Sequence, residues 1–285
     1  MLNEQDTAPQ KRLNVLVLGD SCYDMAFYVE KANRLNPENP DVPLYNLVDC
    51  KTTEGMGMNV VNALNKLDTF NVEPGLRYCG TKARYYTTEG RYLYRVDYDK
   101  PKPCNIPGVS WTTYDPRPQL AGADIIVVSD YNKGAISDEF LKEVVATGKP
   151  VFIDTKKTNL ADFSAPNVVF KINELEYDRM DHEATFNSCN LVITRGAYGS
   201  ECLKLNEVGI FSSTYSQGFQ VEAVDVCGAG DMYLAGLVYG LHICKGDIKQ
   251  AMKLANAYAA ISVQRVGSYI PTKQELDEFI EEYYK

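Results

Sequence analysis

Five short apolar runs lie along the chain, and each ends in polar or small residues. They read LNVLVL at 13–18, DIIVV at 124–128, VFI at 151–153, NVVFK at 167–171 and NLVI at 190–193. Short runs without alternation are typical of strands that are buried on both faces of a parallel sheet. We therefore predict five central strands whose carboxyl ends carry the polar residues.

Helical patterns lie between and after these runs. Residues 137–147 begin with a serine N-cap candidate, carry acids in the first turn and are followed by Gly148, which are start and stop signals of a helix. Two helices rich in small residues are predicted at 230–240 and 248–263, and a short acidic helix at 274–283. This alternation predicts an α/β fold with a doubly wound, mainly parallel sheet flanked by helices.

Two stretches break the pattern, because they alternate and are rich in Tyr and Val. Residues 43–51 and 84–99 are too polar for the central sheet, and Glu89-Gly90 in the second stretch predicts a hairpin turn. We predict a small separate β-sheet, a lid or dimer contact, with segments at approximately 36–51 and 81–100.

Two further segments lack a regular pattern. The proline-rich stretch 100–118 predicts a loop, and the polar residues 1–12 predict a disordered tail. The remainder, 13–285, is then one domain with a lid.

Charge and composition narrow the choice of partners. The formal net charge is −9, so nucleic acid and anionic membrane surfaces are not expected as partners. No apolar run approaches the roughly 20 residues that span a bilayer, and no secretory signal is visible. The eight cysteines form no CxxC pair and the two histidines no Cys–His cluster. We therefore expect a reduced cytoplasmic protein without a zinc site.

The most specific motif is DVCGAGD at 225–231, which leads into the helix predicted at 230–240. Glycines let the backbone approach a phosphate, and the free N–H groups at a helix start stabilise negative charge. A carboxylate beside such a site can take a proton from an attacking hydroxyl. From the residues alone, a tight turn with a capping Asp is an equal alternative.

This motif resembles the DTxGAGD signature of the ribokinase-like, PfkB-type carbohydrate kinases. The resemblance implies that Asp231 is the catalytic base and that Gly228, Ala229 and Gly230 form the anion hole for the phosphoryl group. Cys227 stands where that family usually has Thr.

The resemblance also implies acceptor-binding residues near the first strand. Asp24 falls at the position of the family's sugar-binding Asp, with a loop-capping acid as the alternative. GMGMN at 55–59 resembles the family's Gly-Gly-x-x-Asn turn, so Gly55, Gly57 and Asn59 are expected to contact the sugar. Met56 replaces the second glycine of that turn.

On the nucleotide side, NELE at 173–176 resembles the family's Asn-x-x-Glu motif, and TRGAYG at 194–199 its phosphate-holding turn. These matches imply ATP and Mg²⁺ as cofactors, and they leave a monovalent cation requirement open. Asn256 falls at an adenine-side position, with a surface helix Asn as the alternative. The residues concerned are Asn173, Glu176 (metal, through water), Thr194, Gly196, Gly199 and Asn256.

Further motifs resemble the kinase domain of the bacterial heptose 7-phosphate kinases and ADP-heptose synthases. They are TKAR at 81–84, SDYNKG at 129–134 and DTK at 154–156. The resemblance makes Lys82, Arg84 and Lys133 candidates for binding the phosphate of an already phosphorylated sugar, with solvated surface side chains as the alternative.

The expected activity is transfer of the ATP γ-phosphoryl group to a hydroxyl of a sugar or sugar phosphate, with heptose 7-phosphate as one candidate. A homodimer through the lid is expected, as in that family. The alternatives are a nucleoside or other sugar kinase of the same fold, and a non-enzymatic ligand-binding or regulatory descendant. A dinucleotide-binding oxidoreductase is not favoured, because GxGxxG is absent.

Overall fold

The computed structural model describes residues 12–98 and 115–283, which form one sheet with helices packed on both faces. The strands are β1 (Asn14–Lys31), β2 (Tyr45–Met56), β3 (Asn71–Thr87), β4 (Tyr92–Tyr98), β5 (Ile125–Asp130), β6 (Val151–Thr155), β7 (Val168–Asn173), β8 (Cys189–Thr194), β9 (Gly199–Asn206) and β10 (Gly209–Gln217). The α-helices are α1 (Gly57–Lys66), α2 (Arg117–Leu120), α3 (Asp138–Ala146), α4 (Glu174–Tyr177), α5 (Ala229–Ile243), α6 (Ile248–Ser262) and α7 (Lys273–Tyr283).

The strand order across the described sheet is β10-β9-β8-β7-β6-β5-β1-β3-β4, and β2 pairs with β1 beyond the end of β5. Neighbouring strands from β3 through β1 and β5 to β8 are parallel. β4, β9, β10 and β2 are added antiparallel. The predicted α/β fold with a mainly parallel sheet is therefore confirmed.

The apolar runs form strands because successive side chains point to opposite faces of a sheet that is covered on both sides. In β1, Val15 and Val17 join the core under α1, α5 and α6. Leu16 and Leu18 join the second core, under α3. All four side chains are at most 1% exposed.

Local signals set the helix ends. Ser137 caps α3 by accepting a hydrogen bond from the N–H of Phe140 at 3.2 Å, as predicted. The small residues of α5 and α6 serve close helix–helix packing. A Cβ added at Gly236 would lie 2.9 Å from the Cα of Ala255, so a larger residue there would force the two helices apart.

The prediction of a separate small sheet is wrong. β1 has 18 residues and β3 has 17, and both run from the apolar core out of the domain. Their outer halves, residues 21–31 and 80–87, pair with β2 and β4; these four segments are called the lid sheet below. The expected Glu89-Gly90 turn is present between β3 and β4, with Gly90 at φ 86. The polar residues in these stretches therefore indicate where the sheet leaves the core, because their side chains face water.

Parts of three predictions lie outside the described residues. They are residues 1–11 of the tail, 99–100 of the lid segment and 100–114 of the loop. The end of that loop prediction is wrong, because α2 begins at Arg117. Among the described residues, no helix is both long and apolar enough to cross a membrane.

Candidate active site

Residues 228–230, called the glycine turn below, and the Asp231 carboxylate lie together at the start of α5, as the motif predicts. Gly228 is the N-cap residue of α5, with φ 77, and Asp231 lies in the first helical turn. A Cβ at Gly228 would lie 2.9 Å from the Cβ of Ser268. Glycine is thus needed here both for the left-handed backbone and for the close approach. The N–H groups of this first turn are free of intrahelical partners.

Asp231 is 3% exposed, and two side chains donate hydrogen bonds to its carboxylate. Asn59 Nδ2 lies 2.8 Å from Oδ2, and the Tyr131 hydroxyl lies 2.8 Å from Oδ1. The pKa of Asp231 is raised to about 6, chiefly by burial and also by the Asp154 charge, against the lowering effect of the two hydrogen bonds and of Lys171. The group is therefore ionised at neutral pH yet basic enough to accept a proton.

Lys171 is the cation of this site. Its Nζ lies 2.7 Å from Asp154 Oδ2, and it would lie 2.9 Å from a Cβ added at Gly230. It is 4% exposed; burial lowers its pKa, but the carboxylates of Asp154, Glu176 and Asp231 outweigh that effect and the pKa is raised. A permanent positive charge therefore lies against the glycine turn. Asn59, Tyr131, Asp154, Lys171 and Asp231 are called the base cluster below.

The Asn-x-x-Glu motif forms the start of α4. Asn173 Oδ1 accepts a hydrogen bond from the Glu176 N–H at 2.9 Å, and Glu176 Oε2 accepts one from the Asn173 N–H at 2.9 Å. This reciprocal capping fixes the direction of the Glu176 carboxylate. Its other oxygen pairs with Lys156. Within residues 12–98 and 115–283, no group of three His, Cys, Asp or Glu side chains could hold a metal ion directly.

The expected acceptor residues meet between the lid sheet and α1. Asp24 Oδ1 lies 2.7 Å from the Arg84 guanidinium, so these two candidates form an ion pair. A Cβ at Gly55 would lie 2.5 Å from Asp24 Oδ2, which explains why glycine is needed. Met56, at the variant position of the turn, has φ 58 and ψ −131. An L-residue holds a glycine-like backbone there, at the start of α1, and Gly57 and Asn59 follow in the helix.

Of the other two candidate cations, Lys82 lies close to the base cluster. Its Nζ is 5.5 Å from the centroid of the Tyr131 ring. Lys133 lies in the loop after β5, and its N–H donates to the buried Asp20 carboxylate at 3.0 Å. The backbone of Lys133 thus has a structural role in holding the loop that carries Tyr131.

The other nucleotide candidates lie at the end of β8, in the turn between β8 and β9, and within α6. Thr194 donates to the Ile172 carbonyl oxygen at 3.3 Å. Gly196 and Gly199 have positive φ of 56 and 102, so the turn needs both glycines. Asn256 is 7% exposed, and its Nδ2 donates to the backbone of residues 216–217. The alternative of a surface Asn is therefore wrong.

Sequence reasoning assigned no role to three members of the base cluster. Tyr131 and Asp154 lie inside the motifs SDYNKG and DTK. Lys171 had one usable signal, a charged residue near the end of the otherwise apolar run NVVFK. Their role depends on β5, β6 and β7 being parallel neighbours, because only then do the strand ends meet.

The sequence also matches known proteins. Residues 169–275, which include β7, the glycine turn, α5 and α6, match the family model described as pfkB family carbohydrate kinase. The resemblance to the ribokinase-like carbohydrate kinases is confirmed. The solved structures agree in fold: ribokinase from Thermotoga maritima has a TM-score of 0.65 at 17% identity, over 94% of this chain and 99% of that chain. Phosphofructokinase-2 from Escherichia coli has a TM-score of 0.67 at 13% identity, over 96% and 99%.

Two curated relatives bear the name bifunctional protein HldE. The protein of Alkalilimnicola ehrlichii is 28% identical over 96% of this chain and 65% of its own length. The protein of Photobacterium profundum is 28% identical over 94% and 63%. The chain thus spans somewhat less than two thirds of the length of these relatives.

Proposed function

We propose that the protein is an ATP-dependent sugar kinase, which transfers the γ-phosphoryl group to a hydroxyl of a sugar or sugar phosphate. The arrangement of Asp231 carries this proposal. A buried carboxylate with a pKa of about 6 lies in the first turn of α5, beside the backbone N–H groups of the helix start and the Lys171 ammonium.

In the proposed reaction, the acceptor hydroxyl gives its proton to Asp231 while its oxygen attacks the γ-phosphorus. The bond from that phosphorus to the bridging oxygen breaks, and ADP leaves with the electron pair. The N–H groups of the glycine turn and Lys171 stabilise the negative charge on the transferring group. Asp24 orients the sugar, and the lid sheet excludes water.

Mg²⁺ fits the nucleotide side as an ion held mainly by phosphates and water. The carboxylates of Glu176 and Asp154 are fixed there by lysines, so they suit contacts through water better than direct coordination. When bound, the ion supplies charge neutralisation on the phosphates. A monovalent cation requirement stays open.

The acceptor that we favour is a sugar phosphate, with heptose 7-phosphate as the leading candidate. The TKAR and SDYNKG motifs support it, as does Lys82, which places a positive charge between the lid sheet and the base cluster. A nucleoside kinase of the same fold is the main alternative. A ligand-binding descendant without activity is less favoured, because such a protein has no chemical need for a carboxylate beside the glycine turn.

A homodimer through the lid sheet, in the cytoplasm, completes the proposal. Phe27, Tyr85 and Tyr94 stack across three strands, with ring centroids 5.0 and 4.6 Å apart. They lie on the face opposite to Asp24 and Arg84, because side chains alternate along a strand. Tyr94 is 48% exposed, so this aromatic face is open to a second copy. A monomeric sedimentation coefficient at micromolar concentration would refute the dimer.

The test of the activity is ADP release with Mg²⁺-ATP across a panel of sugars, sugar phosphates and nucleosides. We expect one class to stimulate release, and Asp231→Asn to lower kcat by about 10³-fold, a typical share for a general base. Stimulation by a nucleoside alone would replace the acceptor class and keep the base. No stimulation by any acceptor, in a protein that binds ATP, would refute the kinase proposal.

A further inference from the structure

Both oxygens of the Asp231 carboxylate already have donors. Asn59 Nδ2 bonds to Oδ2 and the Tyr131 hydroxyl to Oδ1, each at 2.8 Å. A base takes a proton through an oxygen lone pair, so the hydroxyl to be activated must approach one of these two atoms. The two donors fill two of the roughly four lone-pair sites of the carboxylate. Tyr131 is the donor that lies towards the lid sheet, since Lys82 Nζ is 5.5 Å from its ring centroid, and this is the side from which the acceptor is expected.

The backbone around Tyr131 is fixed, whereas its side chain is partly exposed. Asp130 accepts from the Asn132 N–H at 2.8 Å, and Asp20 accepts from the Lys133 N–H at 3.0 Å. Both carboxylates are buried, at 1% and 0% exposure. The side chain, rather than the loop, is therefore the part that would move to release Asp231, and its ring packs against the buried side chains of Cys22, Met56 and Cys79.

Two ammonium groups hold the tyrosine ring. Lys82 Nζ, from the lid sheet, lies 5.5 Å from the ring centroid, and Lys156 Nζ lies 5.6 Å from it. Lys156 also pairs with Glu176, on the expected nucleotide side. Phosphate groups that enter either side attract these cations and weaken their hold on the ring. The position of Tyr131 is thus coupled to both expected substrates.

We propose that Tyr131 is a positioning residue that controls access to the Asp231 carboxylate. Its hydroxyl donates to Asp231 Oδ1 until the acceptor hydroxyl replaces it. In the absence of an acceptor, Asp231 therefore does not activate water. The proposal rests on the proposed kinase function. A sugar held by Asp24 and the lid sheet can displace the tyrosine, since one hydroxyl bond replaces another. A water molecule lacks those additional contacts, whereas the tethered tyrosine is already in place.

The reaction that is suppressed is hydrolysis of ATP. The oxygen of water would attack the γ-phosphorus while its proton passed to Asp231. The bond to the bridging oxygen would break, and ADP and inorganic phosphate would leave. Only the attacking oxygen differs from the proposed transfer, so access to Asp231 decides between the two.

The variant that tests this is Tyr131→Phe, which keeps the ring between its cations and removes the hydroxyl. We expect ADP release from Mg²⁺-ATP without sugar to rise about tenfold, since one hydrogen bond to a charged group is lost. Tyr269→Phe is the matched control, because Tyr269 also donates to a carboxylate, Glu275, at 2.6 Å. That hydroxyl is not among the groups that act on the Asp231 carboxylate, and its loss should leave hydrolysis unchanged.

A second readout needs no substrate. In ligand-free protein with ¹³C-labelled aspartate, we expect the titration midpoint of Asp231 to move up by about one pH unit in Tyr131→Phe, because a bond to the ionised form is lost. Asn59 on α1, Asp154 on β6 and Lys171 on β7, which also face this carboxylate, remain in place.

Each outcome decides the matter. Unchanged hydrolysis in Tyr131→Phe would overturn the proposal, whether or not the midpoint moves. A higher KM for sugar without added hydrolysis would also overturn it, and would make Tyr131 an acceptor-binding residue. If the unaltered protein phosphorylates no acceptor, the kinase function fails separately, and the midpoint still reports whether Tyr131 holds Asp231.

Discussion

The base cluster and the lid sheet differ in how far their charged side chains are exposed to solvent. In the base cluster, Asp231, Lys171 and Asn59 are 3–4% exposed and hold one another by short hydrogen bonds or charge. In the lid sheet, the Arg84 and Asp24 side chains of the ion pair are 20% and 16% exposed, and tyrosines such as Tyr92 are half exposed.

This difference indicates how the two halves of the reaction are divided. Groups that act on the transferring phosphoryl group gain from a dry, rigid setting, because low dielectric strengthens their charges. In the proposed kinase reaction, the groups expected to select the acceptor lie on strands that leave the core. Changes in the base cluster should therefore alter kcat and stability, whereas changes in the lid sheet should alter KM.

The largest effect is expected for Lys171→Met. The variant removes the charge beside Gly230 and leaves Asp154 buried without its partner. We expect kcat to fall by about 10²–10³-fold and the free energy of unfolding to fall by about 3 kcal/mol. Steady-state kinetics and urea denaturation measure the two effects.

Lys149→Met is the control for that variant. Lys149 Nζ also makes close contacts, with the carbonyl oxygens of residues 120, 121 and 123, but it is outside the base cluster. The Lys149→Met variant should have a lower free energy of unfolding and an unchanged kcat. If both variants lost kcat equally, the loss would come from the fold, and the division between the two regions would be wrong.

A second test uses the stability of Asp231→Asn. Burial raises the pKa of Asp231 from 3.8 to about 6, so the folded state holds its proton more tightly than the unfolded chain. Ionised Asp231 therefore lowers the free energy of unfolding. This loss of stability is absent below pH 4, grows as the Asp231 carboxyl of the unfolded chain ionises, and is complete above pH 6. Two pKa units correspond to about 3 kcal/mol.

At pH 8 the variant should therefore be more stable than the unaltered protein by up to about 3 kcal/mol, and the gain should vanish near pH 3. Asp24→Asn in the lid sheet breaks an ion pair that water already reaches and should show no such gain. Denaturation curves at the two pH values decide this. Equal stability of Asp231→Asn and the unaltered protein at pH 8 would contradict the assigned pKa.

The smallest effect is expected for Lys82→Met. If Lys82 binds the phosphate of the acceptor, KM for a sugar phosphate should rise about tenfold, equivalent to about 1.4 kcal/mol, with kcat nearly unchanged. Lys51→Met is the control, since Lys51 also lies over a lid-sheet tyrosine, Tyr28, at 5.3 Å. Equal rises in KM for both variants, or for an unphosphorylated sugar, would remove Lys82 from phosphate binding.

Much of the fold could be predicted from the sequence because the signals are local. The five apolar runs coincide with β1, β5, β6, β7 and β8 or begin one residue before them, and Ser137 caps α3 as expected. The lid sheet was predicted as a separate sheet because polarity changes within β1 and β3. No local pattern shows that a strand continues when its surroundings change from core to solvent.

The expected catalytic residue and the fold that carries it followed from the sequence, because the glycine turn and the carboxylate are neighbours in the chain. Only the tertiary structure decided what surrounds Asp231. Asn59, Tyr131 and Lys171 come from positions up to 172 residues away, and burial, which no sequence pattern measures, sets the pKa of the base. Motif spacing fixes which groups are present, whereas the packing of α1 and the parallel strand ends fixes their distances and their charge.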